Sequence, residues 1–199
     1  MSITEQNRPT RNRVDAQERL ITAAGELLGE VGPRSMSVRN VAERAGVNHG
    51  LVHHYFGGKD GLMKAAMTRL VEDHAVFAKE ASHGDPIPAP LLLNHDPRYL
   101  RAVVRAVLDD EMELATTEIS AGVSVPRGAL AYAIESKNLG APDVQMKAMV
   151  AVAMAMEMGW AALEPFLFAV IEAASTDEEE EIRDIVRQYR RTMVKQVLQ

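Results

Sequence analysis

A chain of 199 residues has room for a small domain and a larger one, and its lack of cysteine excludes disulfide frameworks, thiolate metal sites and cysteine nucleophiles. The net charge of −6 is unevenly distributed, because residues 1–60 carry eight Lys and Arg against seven Asp and Glu. The first residues lack the apolar stretch of a signal peptide, and the longest apolar run, residues 148–156, is about half of the ~20 residues that cross a bilayer. We therefore expect a cytoplasmic protein that does not enter a membrane.

The first helix is predicted between Val14 and Val31. Its apolar residues recur at helical spacing, at Leu20, Ile21, Ala24, Leu27 and Leu28. Gly32 and Pro33 end it, because neither residue continues a helix well. Such a helix provides the core on which a smaller unit can pack.

Two short helices joined by a glycine turn are predicted next. Ser37 is a helix N-cap type, and an apolar face follows at Val38, Val41, Ala42 and Ala45. Gly46 ends this helix because glycine readily adopts the left-handed conformation of a sharp turn. Asn48 can cap the second helix, whose inward stripe is Val52, Tyr55 and Phe56. The pair is followed by Gly57 and Gly58, and a further helix is predicted from Lys59 to about Lys79.

The outer face of the second short helix has no apolar partner and is rich in hydrogen-bond donors. It consists of His49, Gly50 and His53, with Leu51 and His54 at its flanks. This is the composition of a helix that lies in a DNA major groove, so the pattern predicts a helix-turn-helix. His49 and His53 are also spaced so that they could hold a divalent metal, but no third ligand is nearby. We interpret them as facing DNA and expect neither a metal nor a cofactor.

Three segments of this region strongly resemble the N-terminal DNA-binding domain of the tetracycline-repressor (TetR) family. They are RLITAAGELLGEVG (residues 19–32), SVRNVAERAGV (residues 37–47) and HHYFGGK (residues 53–59). The resemblance covers residues 14–62 without a gap. It implies an all-α homodimeric transcription regulator, usually a repressor, which a small-molecule ligand releases from a palindromic operator. Residues 63–199 would then form the helical domain that binds the ligand and dimerises.

The resemblance also assigns roles within the helix-turn-helix. Ser37 and Arg39 would contact the DNA backbone, and Tyr55 and Lys59 would hold phosphates. The full predicted DNA-binding set is Ser37, Arg39, Asn48, His49, Gly50, Leu51, His53, His54, Tyr55 and Lys59. The chain departs from the family at two of these positions, since the position of Leu51 is more often Thr or Ser and that of His53 more often Tyr. The cations that can cluster near the DNA backbone are Arg8, Arg11, Arg13, Arg39 and Lys59.

The remainder of the chain is predicted to be helical, without strands or repeats. Helices are expected over residues 97–115, 127–138 and 143–163 and from Ser175 onward, and the proline-rich segment 83–97 is expected to be a mobile loop. Residues 143–163 are apolar almost all round, which predicts burial on several sides, and Pro165 should kink or restart the helix. Thr176 and Glu179 match a capping box at the start of the last helix.

The last helix carries more apolar surface than one layer of a small domain needs. Its predicted dimer-interface residues are Ile182, Ile185, Val186, Tyr189, Met193 and Val197. Together with the apolar helix before it, this helix is expected to pair with a second copy as a four-helix bundle.

Flexible apolar side chains are concentrated in the middle helices. A pocket for a small, largely apolar effector is expected near Met112, Tyr132, Met149 and Trp160. Ordinary core filling is the other interpretation of the methionines. Glu157, inside the apolar helix, is either a polar handle in such a pocket or half of a salt bridge.

The sequence leaves two classes of function open. The first is a ligand-responsive regulator that binds double-stranded operator DNA as a homodimer. The second is an enzyme or small-molecule carrier in which the helix-turn-helix is only structural. The sequence shows no recognisable Ser/His/Asp set, no phosphate-binding GxxxxGK[ST] loop and no carboxylate pair in a cleft, so we predict that the protein is not an enzyme.

Overall fold

The structure, a computed structural model, describes residues 8–198 and the side chains of residues 13–195. In this range the chain forms helices and turns, and no β-strand is present. The helices are α1 (Arg8–Glu30), α2 (Gly32–Ser35), α3 (Val38–Ala45), α4 (Gly50–Phe56), α5 (Lys59–Ala81), a 3-10 helix (Leu92–His95), α6 (Pro97–Leu108), α7 (Met112–Ala115), α8 (Thr117–Ser120), α9 (Val125–Ser136), α10 (Val144–Val170) and α11 (Thr176–Leu198). The all-α prediction is therefore confirmed.

The chain divides into two compact units. The first contains the residues up to Asp73 and the segment Arg101–Ala121, and the second contains His74–Leu100 and the residues from Gly122 onward. The boundary predicted between residues 62 and 63 lies inside α5, which is continuous from Lys59 to Ala81. The predicted functional domains, residues 14–62 for DNA binding and residues 63–199 for ligand binding and dimerisation, stay a prediction.

The core of the first unit is formed by apolar side chains from α1, α3, α4 and α5. Its fully buried members include Leu20, Leu28, Val41, Val52 and Leu62. Burial of one such side chain contributes ~1.5–3 kcal/mol, so these contacts are the main stabilisation of the unit. Two exposed ion pairs add to them, one between Arg69 and Glu18 (2.9 Å) and one between Arg44 and Glu30 (2.7 Å).

A short helix follows α1 where the sequence predicts only a break. Gly32 adopts φ +80° and starts α2. The Asp109 carboxylate accepts a hydrogen bond from the backbone N–H of Arg34 (2.9 Å), and the Arg34 guanidinium donates to the carbonyl oxygen of Asp109 (3.1 Å). A side chain at Gly32 would meet Asp109 Oδ2 at 2.8 Å, so this position needs glycine for space as well as for conformation.

The single helix predicted over residues 97–115 is wrong beyond Leu108. Asp110 adopts a left-handed conformation (φ 62°), and the N–H of Glu111 donates to the carbonyl of Ala106 (2.8 Å). This is the hydrogen bond of a helix C-cap, so the apolar periodicity continues across a turn and into the short helices α7 and α8.

Helix α10 differs from its prediction in two respects. It continues through Pro165 rather than restarting there, and its only buried residues are Met146, Glu157 and Phe168. The predicted burial on several sides is therefore wrong for the single chain, in which α9, α11 and the 3-10 helix pack against α10. By length and mean hydropathy (1.3) α10 could also cross a membrane, although core helices of soluble proteins pass the same test.

The start of α11 is capped one residue earlier than predicted. Ser175 Oγ accepts from the N–H of Glu178 (3.3 Å), and the Glu178 carboxylate accepts from the N–H of Ala174 (2.6 Å). The predicted box of Thr176 and Glu179 is therefore wrong by one residue. Either hydroxyl could serve, because serine and threonine are both good caps.

Polar side chains form a buried cluster inside the second unit. Glu157 Oε1 accepts from the N–H of Leu91 (3.0 Å) and lies 3.2 Å from Arg190 Nε. Of the two interpretations of Glu157, the structure therefore supports the salt bridge. Burial raises the pKa of the Glu157 carboxyl, although the N–H of Leu91 and the charge of Arg190 favour its ionised form. Burial likewise lowers the pKa of Arg190.

Candidate nucleic-acid interface

The turn between α3 and α4 has the predicted geometry. Ser37 caps α3, since its Oγ accepts from the N–H of Asn40 (3.1 Å). Gly46 adopts the left-handed conformation (φ 63°, ψ 39°), and the N–H of Val47 donates back to the carbonyl of Ala42 (3.0 Å). These local bonds fix the angle at which α4 leaves the turn.

Helix α4 is bounded by one asparagine and two glycines. Asn48 Oδ1 accepts from the N–H of Gly50 (2.8 Å), so the predicted cap is present. The helix ends at Gly57 (φ 74°) and Gly58 (φ 137°), which together turn the chain into α5. Few residues other than glycine adopt such dihedrals, so the length of α4 is set by its sequence.

One side of α4 is exposed and the other packs on the first unit. Val52 is completely buried, and Tyr55 and Phe56 are half-buried, in agreement with the predicted inward stripe. The exposed residues of the predicted DNA-binding face are His49, Gly50, His53 and His54, whereas Leu51 is half-buried. The helix therefore presents imidazoles and a bare backbone at Gly50 to solvent.

The cations of the first part of the chain separate into two groups. Arg19, Arg34 and Arg44 bind acidic residues or carbonyls within the unit. Among the residues that the structure describes up to Lys59, the cations whose side chains form neither an ion pair nor a hydrogen bond are Arg13, Arg39 and Lys59. All three belong to the set predicted to cluster near the DNA backbone, and their charges are available to an external anion. The side chains of Arg8 and Arg11 lie outside the described residues.

Tyr55 joins α1 to the C-terminal end of α4. The Arg13 guanidinium carbon lies 5.5 Å from the centroid of the Tyr55 ring, and the His54 ring lies 4.9 Å from it on a tilted plane. Sequence reasoning places Arg13 among the backbone cations but misses its contact with Tyr55. No local pattern signals a contact between two residues 42 positions apart in the chain.

The residues predicted to line an effector pocket do not come from one unit. Met112 belongs to the first unit and is exposed, whereas Tyr132, Met149 and Trp160 belong to the second. Trp160 Nε1 donates to Glu164 (2.8 Å), and its ring meets the edge of Phe168 at 5.9 Å. The pocket stays a prediction.

The predicted dimer face is only partly covered within the chain. Tyr189 is 66% exposed and Ile185 is 42% exposed, while Ile182, Val186 and Met193 are half-buried. The side chain of Val197 lies outside the described residues. Among those described, no group of three or more His, Asp or Glu residues could hold a metal ion.

Comparisons with known proteins agree with this geometry. The family model described as bacterial regulatory proteins, tetR family, matches residues 20–66. The HTH-type transcriptional regulator BetI of Stenotrophomonas maltophilia is 38% identical over 97 residues, and the match covers 47% of this chain and 44% of BetI, less than half the length of either. The HTH-type transcriptional repressor Rv3405c of Mycobacterium tuberculosis is 28% identical over 164 residues, or 82% of this chain and 81% of that protein.

A solved structure extends the likeness of the fold over most of the chain. The crystal structure of a protein described as a TetR-family transcriptional regulator from Rhodococcus sp. matches with a TM-score of 0.64 and covers 92% of this chain and 99% of that one. Its sequence identity of 16% makes this a likeness of fold alone. The match over residues 20–66, together with the helix-turn-helix geometry of α3 and α4, makes this part of the chain similar to bacterial regulatory proteins of the tetR family.

Proposed function

We propose that the protein is a transcriptional repressor that inserts α4 into the major groove of an operator. The observation that carries this proposal is the combination of an exposed, donor-bearing face on α4 with unpaired cations at Arg13, Arg39 and Lys59. Base edges in the major groove are read by such donors, and phosphates on either side are bound by such cations. Repression rather than activation is supported by the name of one relative, which is called a repressor. A cytoplasmic location is part of the same proposal.

The operator would be read by two copies of the chain. Several large apolar side chains of α10 and α11 are exposed to solvent in the single chain: Val152, Leu163, Phe166, Val170, Ile185 and Tyr189. A patch of this kind is typical of a protein–protein interface. A second copy is the occupant that the function favours, because a two-fold dimer places two readers on a palindromic site one helical turn apart.

The effector would be a small, largely apolar molecule that also carries a hydrogen-bond donor. Its support comes from the second unit, where the buried acceptor atoms Asn94 Oδ1 and Glu157 Oε2 have no hydrogen-bond partner among the described residues. Arg190 Nε also has no hydrogen-bond partner among these residues, although it lies 3.2 Å from Glu157 Oε1 as an ion pair. A buried polar atom without a partner costs ~1–3 kcal/mol, which a hydroxyl or amine of a ligand can recover.

Release from DNA requires that the effector bind one state of the protein better than the other. A ligand with equal affinity for the DNA-bound and the free state shifts nothing, whereas a typical coupling of ~1–3 kcal/mol changes operator affinity about 5- to 150-fold. We place this ligand near Tyr132, Met149 and Trp160, in the second unit.

The test is selection of duplex DNA from a random pool by the full-length protein, followed by a mobility-shift titration. We expect a palindromic consensus and tight binding that the double variant His49→Ala, His53→Ala loses by a factor of ten or more. His95→Ala is the matched control, since His95 is an exposed histidine in the second unit. Failure to enrich any sequence, or equal binding by both variants, would contradict the proposal.

A further inference from the structure

Arg13 is an exposed cation that the fold holds in one place. It lies on α1, which begins at Arg8, so its backbone belongs to a regular helix rather than to a free arm. Its guanidinium lies over the ring of Tyr55, 5.5 Å from the centroid, and no carboxylate of the described residues pairs with it. An arginine of this kind is positioned by an aromatic face and leaves its N–H edge free.

Tyr55 is itself fixed by its neighbours on α4. The ring of Phe56 meets it edge-on at 6.3 Å, and the His54 ring lies at 4.9 Å. Because the helix ends at the left-handed Gly57, the position of this ring along α4 is set by the backbone. The contact with Tyr55 therefore favours one orientation of the Arg13 guanidinium, which reduces the side-chain freedom lost on binding an anion.

The position of this pair on α4 indicates which part of the DNA it would meet. In a helix-turn-helix the N-terminal residues of the recognition helix contact base edges. Tyr55 is the last but one residue of α4, at the opposite end from Gly50. An anion bound there lies beyond the bases that the helix reads, and on duplex DNA that anion is a phosphate.

We propose that Arg13, held on Tyr55, binds a phosphate that flanks the bases read by α4 and so extends the DNA contact beyond the recognition helix. This inference rests on the proposed DNA-binding function. The planar guanidinium binds phosphate through two parallel N–H bonds, which a lysine cannot reproduce. Arg13 would therefore raise affinity for every sequence equally and would leave base preference unchanged.

The experiment measures the affinity of the full-length protein for its selected duplex between low and moderate salt. Arg13→Ala should weaken binding roughly tenfold per protomer and reduce the slope of log affinity against log salt by ~0.9 for each phosphate that is no longer neutralised. The selected consensus should stay the same. Arg13→Lys should restore the slope but only part of the affinity, because lysine keeps the charge and lacks the planar fork.

Two variants of Tyr55 test whether the effect of Arg13 on DNA binding depends on its contact with the Tyr55 ring, and a third variant tests the effect of net charge. Tyr55→Phe keeps the ring, so removal of Arg13 in that background should still lower the slope, whereas in a Tyr55→Leu background it should have a much smaller effect. Arg191→Ala is the control for net charge, since this exposed arginine lies two residues, or about 200° of helix, from Tyr189. Melting by circular dichroism checks that each variant is folded.

The two proposals fail in different ways. If the wild-type protein selects no duplex, the DNA-binding function is wrong and Arg13 has no phosphate to bind. If the wild-type protein binds its duplex but Arg13→Ala has the slope and affinity of Arg191→Ala, only the inference about Arg13 is overturned. Full affinity in Arg13→Lys would overturn the phosphate contact through two parallel N–H bonds of the guanidinium.

Discussion

Three imidazoles face solvent on or beside α4, at His49, His53 and His54. Histidine is the side chain whose charge changes between pH 5 and 8, and a nearby phosphate favours its charged form. If the rings are close to phosphates in the complex, DNA binding takes up protons, and the affinity depends on pH. If they instead donate a neutral N–H to base edges, it does not.

We predict that operator affinity rises as the pH falls from 8 to 6. The sign follows from charge: a positively charged imidazole is attracted to a nearby phosphate more strongly than a neutral one, so lowering the pH favours the complex. Fluorescence anisotropy at fixed ionic strength measures this dependence. His53→Tyr should remove part of it, since tyrosine does not titrate in this range. Constant affinity over the range, with the fold intact, would show that the rings bind as neutral donors.

Gly61 has no room for a side chain, and this lack of space, rather than its backbone conformation, is the reason for glycine at this position. It lies in the first turn of α5, and a Cβ there would overlap the carbonyl oxygen of Phe56. Backbone atoms cannot move aside as a flexible side chain can, so α5 would have to shift relative to the end of α4.

We predict that Gly61→Ala destabilises the protein by ~1–3 kcal/mol through this overlap, although alanine is the better helix former. Gly128→Ala is the control, because Gly128 is also helical and a Cβ there meets nothing within 4 Å. That variant should be neutral or more stable by up to ~1 kcal/mol. Thermal unfolding at equal protein concentration compares the two, and equal stability of both variants would exclude the overlap.

At the scale of elements, the sequence predicts those features whose causes lie within a few residues. Ser37, Gly46 and Asn48 cap helices through neighbours two to four positions away, so α3 and the start of α4 follow from the sequence alone. Helix α2 does not follow from the sequence alone. The backbone N–H of Arg34 donates to the carboxylate of Asp109, which lies 75 positions further along the chain. The contact of Arg13 with Tyr55 is hidden for the same reason.

Helix α10 shows a different limit of the sequence. Its apolar circumference predicts burial, but hydrophobicity indicates only that a surface should be covered and not which chain covers it. Its single buried acid, Glu157, is held by Leu91 and Arg190. The partners of that acid come from elements that precede and follow α10, so the sequence pattern alone leaves its role open.

We predict that Arg190→Met destabilises the protein by ~3–5 kcal/mol, because it leaves the Glu157 carboxylate buried without its partner. Burial already raises the pKa of Glu157, and the substitution raises it further. An acid with a raised folded pKa stabilises the folded state below its unfolded value of ~4.3 and loses this contribution as the pH rises through the folded value. The loss of stability in Arg190→Met should therefore grow from acid to neutral pH.

The double variant Glu157→Gln, Arg190→Met should recover most of this stability. Glutamine keeps an acceptor for the N–H of Leu91 without the charge, and a neutral pair avoids the cost of burying ions. Arg187→Met is the control, since its pair with Glu180 (2.8 Å) is exposed and worth at most ~1 kcal/mol. Denaturant unfolding at one protein concentration gives the free energy of unfolding of the wild type and of each variant. A double variant as unstable as the single one would contradict the role of charge.

For the whole molecule, we expect the exposed apolar residues of α10 and α11 to link stability, oligomeric state and DNA binding. Phe166 is 62% exposed and Val170 is 61% exposed on α10, and Ile185 and Tyr189 are exposed on α11. A monomer would leave this surface in water. The proposed dimer would bury it and would supply the second recognition helix that the proposed palindromic operator requires.

We predict a dimer by light scattering at micromolar concentration, which Ile185→Asp, Tyr189→Asp converts to a monomer, since buried carboxylates without partners are costly. Operator affinity should then fall on the order of 100-fold or more. In a dimer, binding of one recognition helix raises the local concentration of the second near its half-site, and a monomer loses this effect. Val76→Asp is the control, as Val76 is equally apolar and 58% exposed but lies on α5. It should stay dimeric and bind DNA normally. A wild-type monomer that binds its operator tightly would disprove the interface, and the apolar surface of α10 would then need another partner.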